Sequence, residues 1–133
     1  MKRVFFIFLI TSIAIITNSC GKEDEPFFSV DNTAPVIAEV TAVTTPTNDN
    51  SPDYTFSSYE AGSISFVGPC SSSTKSADSG VNTITLNSLS DGTYSACAIT
   101  VSDKVANESN LLTLTSFDVD STASTLVATD NQT

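Results

Sequence analysis

The chain has no histidine and no tryptophan, a single methionine, and only five lysine and arginine residues against fifteen aspartate and glutamate. Each shortage excludes something. Without histidine there is no Ser–His or Cys–His pair to activate a nucleophile. Nor is there an imidazole to complete a zinc set, and no Cys-x-x-Cys spacing replaces it. So few cations, in a chain of formal charge −10, argue against nucleic acid as a partner, because such a surface repels phosphates. The longest apolar run, residues 4–16, falls short of the roughly twenty residues that a membrane-spanning helix needs. The carboxylates are spread out, with nothing to suggest the facing pair of a glycosidase. The chain therefore reads as a non-enzyme with no cofactor and no metal.

What is there begins with an address. Lys2 and Arg3 precede the apolar run, which only Thr11 and Ser12 interrupt, and small Ser19 stands before Cys20. This is the layout of a secretory signal over residues 1–19; an uncleaved N-terminal anchor is the alternative. The pattern resembles a bacterial lipoprotein signal. Ser19 and Cys20 match that family's box, while Thr17 and Asn18 depart from it. The resemblance implies that Cys20 is lipidated and holds the protein to a membrane. Residues 20–29 follow as an acidic tether, with Lys22, Glu23, Asp24, Glu25 and Pro26, too polar to pack. Acidic residues after such a cysteine resemble a surface-export signal of some Gram-negative lipoproteins; a plain solvated spacer is the alternative. The expected location is the bacterial cell envelope, as an outer-membrane lipoprotein displayed at the surface.

Removing residues 1–19 leaves 114, enough for one domain, and takes the formal charge from −10 to −12. Three lysines and no arginine remain, while serine and threonine make up 40 of the 133 residues of the chain. Helix formers are scarce and strand formers abundant, so the mature chain is expected to be all-β. Three cysteines become an even set once Cys20 is assigned to lipid. Cys70 and Cys97 are then expected to pair in an oxidising compartment, stabilising by roughly 3 kcal/mol; two buried thiols are the alternative.

Alternating runs separated by turn residues predict strands at 36–43, 54–57, 64–67, 81–86, 93–101 and 111–119, with at most a weak edge strand within 71–80. The expected core is Ile37, Val43, Tyr54, Phe56, Ile64, Phe66, Ile84, Leu86, Leu89, Tyr94, Ile99, Val101, Leu112, Leu114 and Phe117. Strict alternation cannot turn both Tyr94 and Cys97 inward, which predicts a bulge near Ser95 and Ala96.

An internal echo frames these strands. Phe-Ser-Val-Asp-Asn-Thr-Ala-Pro at residues 28–35 returns as Phe-Asp-Val-Asp-Ser-Thr-Ala-Ser at 117–124, identical at five of eight positions and offset by 89. That period is the size of one sandwich module in a tandem array. With Asp31 to Pro35, Leu89-Ser90-Asp91-Gly92-Thr93-Tyr94, Val101-Ser102-Asp103 with Asn107, and Asn48 to Phe56, the chain resembles the bacterial immunoglobulin-like repeats of surface proteins and adhesins. The resemblance implies an immunoglobulin-like β-sandwich of about seven strands over residues 30–120. Residues 121–133 would then be a disordered tail or the stub of a second repeat. It departs from the family where Asp103-Lys104-Val105-Ala106-Asn107 lacks a glycine, so Asn107 is expected to take the positive φ. A Cys70–Cys97 bridge would also differ from the antibody-type one, tying the end of the third strand to the long strand.

Some related repeats bind calcium between modules, and Asp31, Asp103, Asp118 and Asp120 near strand ends are the matching carboxylates. Calcium needs six to eight oxygens, and turn-capping is the favoured reading. The leading functional expectation is a lipid-anchored adhesion, binding or spacer module whose ligand is an extracellular protein or glycan. One alternative is a carbohydrate-binding accessory module, for which Tyr54, Tyr59, Phe27 and Phe28 are the only stacking candidates. The other is a truncated remnant of a longer repeat adhesin. The sequence assigns no oligomeric state.

Overall fold

Side-chain alternation along β2 (Asp53–Ser58) sorts the chain into inside and outside: Tyr54, Phe56 and Ser58 are buried, while Asp53, Thr55 and Ser57 face water. A computed structural model describes residues 30–122. The expected signal, Cys20, the tether with Phe27 and Phe28, and residues 123–133 lie outside the described residues.

The described part is an all-β sandwich, without a helix among the described residues. Strand β2 lies between β1 (Ile37–Thr41) and β5 (Gly80–Thr85) in a three-stranded antiparallel sheet. A second antiparallel sheet has the order β4 (Ser76–Ala77), β3 (Gly62–Val67), β7 (Ala98–Ser102), β8 (Leu112–Thr113). A short ribbon pairs β6 (Gly92–Tyr94) with β9 (Phe117–Val119). The inward side chains of all three sheets meet in one apolar core. Tyr54, Phe56, Ile84, Ile99, Val101 and Phe117 are almost wholly buried there, each contributing about 1.5–3 kcal/mol. All the expected core residues are buried except Phe66, Tyr94 and Leu112, which are half-buried against the others. Val119 and Ala77 join them; the alternation from Phe117 pointed to Val119.

Among the described residues there are nine strands rather than about seven. The expected strands 93–101 and 111–119 are each interrupted, because each changes partner partway. β6 pairs with β9, whereas β7 pairs with β3 and β8. The expected bulge at Ser95 and Ala96 is a wider break over residues 95–97, and it does turn both Tyr94 and Cys97 inward. Tyr94 then stacks on Phe117 at 5.4 Å between ring centroids.

The break is pinned from the other sheet. Gly68 has φ +88°, and a side chain there would overlap the Ala96 carbonyl oxygen. That close approach brings the end of β3 against the break, where Cys70 and Cys97 form a buried disulfide with Cα atoms 5.3 Å apart. The spacing suits an ordinary bridge.

Strand β1 has a free edge, which side chains close. Asn110 accepts the Ile37 N–H (3.0 Å) and donates to the Ile37 carbonyl (3.0 Å), imitating a paired strand. Glu39 accepts from the Thr115 N–H (3.0 Å) and hydroxyl (2.6 Å). Burial pushes the Glu39 carboxyl up, but the Thr115 bonds outweigh it and hold the group below its ordinary range. The Tyr54 hydroxyl nearby is buried outside hydrogen-bonding geometry. Burial, with the Glu39 charge beside it, pushes its pKa up.

Candidate functional site

Carboxylates organise the chain at the two ends of the run 92–102. At its far end, β7 stops at Ser102 and the chain turns through residues 103–107. Asp103 organises that turn. One carboxylate oxygen accepts the Val105 and Asn107 N–H groups, both at 2.8 Å, and the other accepts the Asn107 side-chain amide at 2.8 Å. Partial desolvation pushes the Asp103 carboxyl up, and the Asn107 and Val105 bonds more than offset it, so it stays below the ordinary carboxylate range. The positive φ of the turn falls on Ala106 (+69°), not on Asn107 as expected. Asn107 is engaged elsewhere. Its side-chain amide also donates to the Asp31 carbonyl (3.2 Å) and the Thr33 carbonyl (3.1 Å), clasping the start of the domain to the turn.

The clasp draws Asp31 and Asp103 together, and Glu60 completes the group. Carboxylate oxygens of the three lie within 4.8 Å of one another. They line a shallow recess with Tyr59, Ala61, Ser79 and Lys104. Sequence reasoning missed Glu60 because it follows β2 and only the fold brings it near Asp103. Offering one oxygen each, the three carboxylates supply half or less of calcium's six to eight, and both oxygens of Asp103 already accept hydrogen bonds from the turn.

Asp118 and Asp120 are not part of this group. Asp118 accepts the Thr93 hydroxyl (2.6 Å) across the β6–β9 ribbon. Asp120 accepts the Thr122 N–H (3.2 Å) in a local turn. At that end the organising carboxylate is Asp91. One oxygen accepts the Ser121 N–H (2.9 Å) and hydroxyl (2.5 Å), and the other accepts the Thr122 hydroxyl (2.6 Å). Those bonds, the Ser121 hydroxyl first, hold the Asp91 carboxyl down at about 2. Ser121 and Thr122 lie beyond the domain end expected from sequence, and Asp91 ties both down.

Of the aromatic stacking candidates, Tyr54 is a core residue with no exposed ring, which removes it from any surface. Tyr59 is 79% exposed. Compared with known proteins, the chain matches no protein-family model, no curated protein and no solved structure.

Proposed function

We propose that the protein is a lipid-anchored, immunoglobulin-like module of the bacterial cell envelope, displayed at the surface and working by adhesion, binding or spacing without catalysis. The observation that carries the reading is the buried Cys70–Cys97 disulfide. It suits an oxidising compartment, and it accounts for two of three cysteines, leaving Cys20 for lipid. The strand order supports the immunoglobulin-like part: β1-β2-β5 in one sheet and β4-β3-β7-β8 in the other, sharing one core. Residues 1–19 and the acidic stretch after Cys20 supply the export signal and the tether.

Protease treatment of intact host cells, beside lysed cells, tests display. Loss of the protein on intact cells is the expected result, and protection until lysis overturns surface exposure. Metabolic labelling with an alkyne fatty acid tests the anchor. Label is expected on the natural chain and absent from Cys20→Ala; a chain that never takes label overturns lipidation.

A further inference from the structure

The outward face of the β1-β2-β5 sheet differs from the rest of this acidic chain. Alternation from buried Ile37, Ser58 and Ile84 puts Val36, Tyr59 and Val81 outward, and they are 55%, 79% and 68% exposed. The Tyr59 N–H donates to the Val36 carbonyl (3.1 Å), so the two extend the β1–β2 ladder by one rung. The next rung across the sheet is Ala38, Ser57, Val81, and the one after is Thr41, Thr55, Thr83. These three rungs contain no charged side chain, and the first carboxylate on the face is that of Asp53, one rung further on, which accepts the Thr85 hydroxyl (2.6 Å).

Among the described residues, Tyr59 is the only aromatic ring on this face, and it stands between two recesses. On one side lie Ala38, Ser57, Ser58, Ser79 and Gly80. On the other lie the carboxylates of Asp31, Glu60 and Asp103. Its backbone is held firmly, since the Ser79 hydroxyl donates to the Tyr59 carbonyl (2.7 Å). An exposed ring on an anchored backbone, small neighbours that leave room over it, and hydroxyl and carboxylate acceptors at its border match a pyranose. Such a sugar has a flat C–H face that stacks on a ring and a rim of hydroxyls that donate to oxygen acceptors. The acidic charge of the chain repels polyanionic glycans and does nothing against neutral ones.

We infer that the Tyr59 face is a binding surface for a neutral polysaccharide, with the sugar ring over Tyr59 and its hydroxyls directed to Ser79 and Glu60. The inference rests on the binding-module reading above and names its ligand class.

Retention of the purified full-length protein on microcrystalline cellulose, chitin, xylan and laminarin tests it, with alginate as the polyanionic arm. Binding to at least one neutral probe and none to alginate is expected. Tyr59→Ala should weaken that binding by about tenfold or more, while Tyr59→Phe keeps it, because stacking needs the ring and not the hydroxyl. Val81→Glu, which places a charge on the face without touching the core, should weaken it as well. Unchanged thermal unfolding of each variant shows that the fold is intact. No retention on any of the four neutral probes, alginate binding equal to neutral binding, or a Tyr59→Ala variant that binds like the natural chain overturns the inference. Binding by purified protein does not depend on where the cell places it. Failure here therefore leaves surface display standing, and protection from protease on cells leaves this result standing.

Discussion

The chain contains the same short motif twice, at Asp31-Asn32-Thr33 and at Asp120-Ser121-Thr122, and the fold uses the two copies differently. Locally they are alike. In each, the threonine N–H donates to the aspartate carboxylate at 3.2 Å. What grips each turn from outside is different. Asn107 donates its side-chain amide to the carbonyls of Asp31 and Thr33. Asp91 does the opposite, accepting from Ser121 and Thr122. The grip of Asn107 is partly buried, whereas that of Asp91 is exposed to water. A repeated motif thus encodes a turn and leaves its partner to the surroundings.

Four experiments test the two grips against each other. The largest effect sets the scale: Cys70→Ala with Cys97→Ala removes the bridge beside the break that lies between the two ends. The variant is expected to lose about 3 kcal/mol in denaturant unfolding. A loss far below that would mean that the hydrogen-bonded ends, rather than the bridge, hold the break together. Next, Asn107→Ala strips the domain start of its donors and is expected to cost about 1–2 kcal/mol, with faster amide exchange at Thr33. An unchanged unfolding midpoint would make the two grips equivalent.

The Asp91 grip is read through pH. Its carboxyl is held at about 2 in the folded chain, below the usual 3.8, so the unfolded chain binds the proton more readily. The stabilisation is therefore present above about pH 4 and is lost as pH falls toward 2. The gap in melting temperature between the natural chain and Asp91→Asn should be steady above pH 5 and should narrow below 4. A gap that stays constant to pH 2 would show that the carboxylate charge contributes nothing. The smallest effects are those of Asp31→Ala and Asp120→Ala, each expected within about 0.5 kcal/mol in the same unfolding assay, since both turns are local and exposed. A much larger cost for Asp31 would transfer the weight of its end from Asn107 to the carboxylate group with Glu60 and Asp103.

Much of the fold was legible because it is written in alternation. The β2 run Asp53–Ser58 reads the same way in sequence and in structure, and so does the inward side of β5. The conflict at Tyr94 and Cys97 marks a bulge in the sequence, since two inward residues three apart cannot lie on one regular strand. Its width was not legible. It depends on β6 and β7 finding partners in different sheets, and on the Ala96 carbonyl meeting Gly68 from another strand. The positive φ passed to Ala106 for a similar reason. Asn107 is the residue type that tolerates that conformation, but the fold employs its side chain across 74 positions, on Thr33.

The all-β class, most of the core and the expectation that Cys70 pairs with Cys97 were readable from the residues alone. The first follows from composition, the second from a period of two, and the third from counting cysteines once Cys20 is assigned to lipid. Tertiary packing alone brings Glu60 to Asp31 and Asp103, sets Asn107 and Asp91 to grip opposite ends, and leaves Tyr59 exposed beside Val36 and Val81 while Tyr54 is sealed inside. Those outcomes depend on which residues distant in the chain become neighbours in space, and local pattern carries no record of that.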